Sequence, residues 1–281
     1  MQYVDALSVE PFEQLLSDVL RRPKSAAPSI SDSRRKLAAL RLKQRKAPSW
    51  FPTLLTSREK NALRLFCFPH AGGGTRLYRG WSIEGIEVCP VLLPGRESRA
   101  AEASIDNMKE LIEALSDAIR PYAGEPYAFF GHSMGAGMAF ELARVLEREP
   151  RLLIVSGARA PQYRINLEPR PDPPDEVLLE QLSAHGTDRE ALEAALPLLR
   201  ADTRLYRNYR FVPGPPLGCP IAAYGGTADA GVHREDLAGW AELTSGNFTQ
   251  REFAGGHFYL ESVREPLLRA IAEDLASYAG V

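Results

Sequence analysis

The sequence predicts an α/β fold: a mostly parallel central sheet covered by helices on both faces, with a helical lid insertion. Three observations carry this reading. From Leu63 onward, short apolar segments alternate with amphipathic ones, the pattern of strands and crossover helices. The apolar segments end repeatedly in glycine-rich or Pro-Gly turns. The pentapeptide Gly131-His132-Ser133-Met134-Gly135 lies between an apolar run and a helical one.

Leu63 to Phe68 reads as a first strand, entering the turn Pro69-His70-Ala71-Gly72-Gly73-Gly74. Val88 to Leu93 reads as a second, ending at Pro94-Gly95-Arg96. Ile105, Met108, Leu111/Ile112, Leu115 and Ile119 recur at helical spacing, and Pro121 stops that helix. Tyr127 to Phe130 is short and aromatic, a buried strand, and Ala136 to Arg148 is the helix beyond the pentapeptide. Leu152 to Val155, Ile221 to Tyr224 and Phe248 to Phe253 are further strands. They end in Ser156-Gly157, Gly225-Gly226 and Gly255-Gly256-His257, and Pro266 to Tyr278 is a closing helix. In a parallel sheet these turns share the carboxyl edge, where ligands bind.

Two regions depart from the pattern. Residues 162–212 open with Pro169, Pro171, Pro173 and Pro174, then turn helical over Val177 to Ala184 and Arg189 to Arg200. That is too long for a simple crossover, and it reads as a lid over the strand ends. Its leucines, Leu178, Leu182, Leu192, Leu196 and Leu199, either pack the lid on the core or line an acyl pocket. Residues 1–60 form a leader, and residues 61–281 the α/β domain. The leader holds one amphipathic helix ended by Pro23, a Pro-rich stretch, and a second helix rich in Arg and Lys. It reads either as a solvated, partly disordered segment or as a docking element for an acidic partner.

Composition narrows the class. A net charge of −2 gives no field for nucleic acid or a membrane surface. Cys67, Cys89 and Cys219 are scattered on apolar segments without a C-x-x-C pair, so they read as buried thiols of a reducing compartment, with no zinc site. The N-terminus lacks the apolar core of a signal peptide, and no run approaches a membrane span. A cytoplasmic protein is expected.

The pentapeptide is a G-x-S-x-G motif in a strand–turn–helix context, which makes it a nucleophile elbow with Ser133 at its apex. The plainer alternative is a glycine-rich turn with an ordinary helix-cap serine. A serine hydroxyl needs a base. His257 follows a strand at the productive edge and is the last of five histidines, in keeping with the serine–acid–histidine order of this architecture. His132 should point away from the line of attack. Asp229, in the small-residue turn after the strand at 221–224, is the best acid. Asp202 and Asp236 are rivals on helical stretches and read as surface carboxylates. An oxyanion needs two N–H donors. Met134 should supply one. Ala71, or else Gly72, should supply the other from the glycine turn, which lacks the lysine of a phosphate loop.

At this point the sequence resembles the external, or type II, thioesterases of polyketide and nonribosomal peptide synthesis, members of the α/β-hydrolase superfamily. The matching pieces are LFCFPHAGGG at 65–74, LPGRESR at 93–99, GHSMGA at 131–136, LPLLRAD at 196–202 and GGHFYL at 255–260, spread over roughly residues 63–279. The resemblance implies an α/β-hydrolase fold, with Ser133 as nucleophile, Asp229 as acid, His257 as base and Ala71 and Met134 as oxyanion donors. It implies as substrate an acyl group on the phosphopantetheine arm of an acyl or peptidyl carrier protein, cleaved without metal or cofactor. The leader looks like the linkers of assembly-line synthetases. Editing of stalled chains, product release or cyclisation by a terminal domain, and small-molecule ester hydrolysis all stay open.

Overall fold

Leu63–Phe68 (β1) is buried along its whole length because helices cover both faces of the sheet around it. Successive side chains alternate sides. Leu63, Leu65 and Cys67 face one apolar layer, while Phe66 and Phe68 face the other. The computed structural model describes residues 49–54, 63–164, 174–176, 179 and 189–279. Backbone contacts divide the chain at Pro48/Ser49. Both leader helices, and the docking element read into them, lie outside the described residues.

Residues 49–54 fall in the same unit as the sheet. Phe51 is buried against Phe66, and Trp50 lies under the Arg99 guanidinium, 4.1 Å from ring centroid to Cζ. The Leu92 amide donates to the Trp50 carbonyl at 2.8 Å. That bond also explains why Ile86–Pro90 (β2) stops short of the apolar run it was expected to include. Val91 to Leu93 stay buried; the Val91 amide still donates to the Cys67 carbonyl of β1 at 2.9 Å, and Leu92 then pairs with the 49–54 segment instead.

The remaining elements are Met108–Ile119 (α1), Tyr127–His132 (β3), Met134–Val145 (α2), Leu153–Ser156 (β4), Arg189–Asn208 (α3), Ile221–Gly226 (β5), Arg234–Ala238 (α4), Phe248–Phe253 (β6), Tyr259–Ser262 (α5) and Arg264–Ala279 (α6). Asn107 caps α1, its side chain accepting from the Lys109 and Glu110 amides, and the expected apolar stripe faces the core. On that layer α1 and α2 cover Phe66, Phe129, Leu153 and Val155. On the other, Leu267, Ile271 and Leu275 of α6 cover Leu65, Phe130 and Ile154.

The six strands run in the order β2-β1-β3-β4-β5-β6, and every pairing is parallel. The chain steps from β1 outward to β2, then returns across β1 to β3. The turns after β1 and β3 therefore flank the point where strand order reverses, the usual ligand crevice of an open α/β sheet. Phe68 is level with Gly131, and His132 with Ser156, so the strand ends form one edge.

The helix expected to stop at Arg200 instead runs to Asn208 straight through Pro197. Proline forfeits one backbone hydrogen bond there. Burial of Leu199, Asp202 and Leu205 along one face overrides that loss. The expected helix at 177–184 lies largely outside the described residues.

Candidate active site

Ser133 holds φ 56° and ψ −117°, a conformation costly for any residue with a Cβ, on the order of 1–3 kcal/mol. Its surroundings enforce it. A Cβ on Gly131 would lie 2.2 Å from the Gly135 carbonyl oxygen, so β3 and α2 can cross this closely only without side chains there. The Ser133 amide is tied to the Ser156 carbonyl at 2.7 Å. Although Ser133 occupies the N-cap position of α2, its hydroxyl caps nothing. The plainer reading of a cap serine therefore fails. The hydroxyl instead faces a base.

The candidate base is His257, whose Nε2 lies 3.0 Å from Ser133 Oγ. It follows β6 after Gly255, whose φ of +128° makes the sharp turn possible. His257 Nδ1 meets Asp229 Oδ2 at 2.7 Å. The Ala228 amide bonds to the Gly255 carbonyl at 2.9 Å, and the Thr227 amide to the Phe253 carbonyl at 2.8 Å, so the turns carrying acid and base are stitched together. The other carboxylate oxygen of Asp229 accepts from the Gly231 and Val232 amides at 2.8 and 3.2 Å. Burial pushes this carboxyl up. The hydrogen bond from His257 and the two amides outweigh that and leave it below its ordinary value. An ionised Asp229 can only accept, so the proton sits on Nδ1 and Nε2 offers its lone pair to the serine.

Met134 is the first residue of α2, and its amide has no acceptor within the helix. In the glycine turn the two candidates separate. The Gly72 amide is engaged by Asp202 Oδ2 at 2.7 Å, and the Gly73 amide by the His70 carbonyl at 3.0 Å. Ala71 is the candidate whose amide has no hydrogen-bond partner among the described residues.

Asp202 is therefore not a surface carboxylate. It is 1% exposed and forms a two-pronged pair with Arg96, at 2.7 and 3.0 Å. The sequence carried a signal for this. Asp202 stands three residues from both Leu199 and Leu205, on the buried stripe of α3. Asp236 behaves more as expected, capping α4 by accepting from the His233 amide and pairing with Arg159. Of the remaining histidines, His233 is the N-cap residue of α4, and His185 lies outside the described residues.

His132 turns away from the serine hydroxyl, as expected, and is fully buried. Its Nδ1 meets Ser156 Oγ at 3.0 Å, and that oxygen meets the Tyr259 hydroxyl at 2.6 Å. The imidazole packs beside His257, with centroids 5.1 Å apart. Burial, then the charges of His257 and His70, hold His132 well below its ordinary value. His70 is held down to about 4 by burial first, then by His257 and Arg96. Both rings are thus held neutral beside His257. Leu199 closes over the glycine turn, where a Cβ on Gly72 would lie 2.2 Å from its Cδ2. Among the other lid leucines, Leu196 is half-buried, while the side chains of Leu178, Leu182 and Leu192 lie outside the described residues. Among the described residues no group of three or more His, Cys, Asp or Glu side chains could hold a metal ion.

A strained serine at a strand–helix elbow, facing an imidazole–carboxylate pair across a parallel sheet edge, defines the α/β-hydrolase class. Comparison with known proteins narrows it. The model of the thioesterase domain family matches residues 63–275, and the chain belongs to that family, hydrolases acting on thioester bonds. The gramicidin S biosynthesis protein GrsT of Aneurinibacillus migulanus is 38% identical over 227 residues, which is 76% of this chain and 89% of GrsT. Thioesterase PikA5 of Streptomyces venezuelae is 36% identical over 229 residues, covering 76% of this chain and 82% of PikA5. Among solved structures, the type II thioesterase BorB of the borrelidin biosynthetic cluster superimposes with a TM-score of 0.74 at 36% identity, over 82% of this chain and 100% of BorB.

Proposed function

We propose that this chain is a type II thioesterase that hydrolyses acyl groups from the phosphopantetheine arm of carrier proteins in nonribosomal peptide or polyketide synthesis, clearing stalled or aberrant chains. The observation that carries the mechanism is the hydrogen-bonded series Ser133–His257–Asp229 at the sheet edge. The substrate class is supported by the likeness to GrsT, PikA5 and BorB.

In this reading Ser133 Oγ attacks the thioester carbonyl carbon while His257 Nε2 takes its proton. Asp229 holds Nδ1–H and stabilises the imidazolium. The Met134 and Ala71 amides hold the oxyanion of the tetrahedral intermediate. As it collapses, the carbon–sulfur bond breaks and His257 returns its proton to the leaving thiolate. Water then attacks the acyl-serine with His257 again as base, releasing the carboxylic acid and restoring Ser133. The residues themselves supply the base, the electrostatics and the nucleophile. The reading places the enzyme in the cytoplasm beside its carriers, where buried thiols such as Cys67 suit a reducing milieu. Among the described residues no helix is long and apolar enough to cross a membrane.

The test is a panel comparing acetyl- and butyryl-phosphopantetheinyl carrier protein, the same acyl groups as oxygen esters, and a carrier bearing a full-length chain. Preference for the short acyl carriers is expected. Preference for oxygen esters would point to a small-molecule esterase, and preference for the full-length chain to product release.

A further inference from the structure

We propose that Asp202, clasped by Arg96, is a positioning residue for thioester hydrolysis: it fixes the backbone of the His70–Gly74 turn so that the Ala71 amide is aimed at the oxyanion. The proposal rests on the roles given above to Ser133 and Ala71. It is carried by how this turn is held. A glycine triplet is intrinsically loose, and Gly72 takes φ +74°. Yet side chains grip the backbone at positions 72, 73 and 75. Asp202 Oδ2 accepts from the Gly72 amide at 2.7 Å. Arg96 Nη1 donates to the Gly73 carbonyl at 2.6 Å. Glu97 accepts from the Thr75 amide at 2.7 Å and from the Thr75 hydroxyl at 2.5 Å. Glu97 itself holds φ 48°, a strained value for a residue with a side chain.

The Gly72 amide is the next peptide unit after the one that carries the Ala71 N–H. Rotating the Ala71 donor away from the serine would drag Gly72 off Asp202. The ion pair also has an electrostatic task. A lone carboxylate this close would oppose negative charge developing on the substrate oxygen, and the Arg96 guanidinium bound to both its oxygens cancels that field. Stability does not explain the pair. The two side chains are 4% and 2% exposed, and Arg96 Nε is buried without a partner among the described residues. Buried ion pairs of this kind can often be exchanged for apolar groups without loss of stability. Leu199, one helical turn before Asp202, packs on the same glycine, so the stem of the lid helix forms one wall of the oxyanion turn.

The test separates geometry from stability. The double variant Arg96→Met/Asp202→Leu removes both charges and leaves the Gly72 amide without its acceptor. It is expected to melt close to the parent protein. With butyryl-N-acetylcysteamine, kcat should fall about 10²-fold with KM unchanged, the scale of a misplaced catalytic group. Affinity for butylboronic acid, whose tetrahedral adduct on Ser133 uses the same amides, should weaken by a similar factor. Recovery of kcat together with stability would overturn the proposal. Should the double variant not fold, Asp202→Asn and Asp202→Ala decide. The asparagine keeps an acceptor for Gly72 and should retain a markedly higher kcat than the alanine; equal losses in the two would overturn it. A parallel Ser133→Ala control distinguishes failure of this proposal from failure of the nucleophile assignment, since an active Ser133→Ala protein would sink the latter whatever the Asp202 variants do.

Discussion

The Phe68 carbonyl oxygen and the α-carbon of Gly135 stand so close that a Cβ on Gly135 would lie 2.3 Å from that oxygen. The end of β1 and the first turn of α2 are thus locked together by the absence of a side chain. Gly135→Ala should force backbone apart and cost on the order of 1–3 kcal/mol or more. Gly137, two residues further along α2, offers the contrast. A Cβ there would meet Tyr206 Cε2 at an ordinary 3.5 Å. Gly137→Ala should be neutral or stabilising by up to about 1 kcal/mol, the helix-propensity difference. Thermal denaturation of the two variants side by side checks the pair.

Asp229→Asn should keep the fold and lose most of the rate. The amide can still accept from Gly231 and Val232, but it can turn its NH₂ group toward His257 and favour the wrong imidazole tautomer. Where the same change has this effect in a serine–histidine–aspartate arrangement, kcat drops about 10⁴-fold. Steady-state kinetics on an acyl thioester, with circular dichroism as the fold control, measures it.

Acid sensitivity should trace in part to His70. Its ordinary value is 6.5, and the folded protein holds it at about 4. Below pH 6.5 the unfolded chain takes up a proton that the folded ring refuses. Stability should therefore fall as pH drops from about 6.5 and level off below about 4, by on the order of 3 kcal/mol from this one group. His132 is shifted in the same direction and adds to the slope. Since His70 Nδ1 is buried without a partner and the ring packs on Phe258, His70→Phe should fold and flatten the dependence. Urea denaturation at pH 4, 5, 6 and 7 reads this out. An unchanged slope would count against a buried neutral His70.

Much of this arrangement was legible in the residues. β1 and β6 fall at the predicted positions because both segments end in glycine turns, and such turns punctuate a chain locally. That Ser133, Asp229 and His257 come together was legible because each sits in a small-residue turn after a strand, and a parallel sheet brings those turns to one edge. What sequence could not show was long-range. β2 ends at Pro90 because Leu92 finds the Trp50 carbonyl, a partner some forty residues away. α3 passes through Pro197 because burial of its far half outweighs a local break. Asp202 read as a surface group because the residue that neutralises it, Arg96, lies on a loop far away in sequence. Its three-residue spacing from Leu199 and Leu205 sets it on an apolar stripe, but only the folded chain reveals the charge opposite.

The most direct test of the central claim is hydrolysis of butyryl-phosphopantetheinyl carrier protein by Ser133→Ala. The variant should fold like the parent, bind the carrier and show turnover reduced about 10⁶-fold, the scale seen when a serine nucleophile is removed. Turnover within tenfold of the parent would contradict the assignment of Ser133 as nucleophile, and with it the mechanism built on His257 and Asp229.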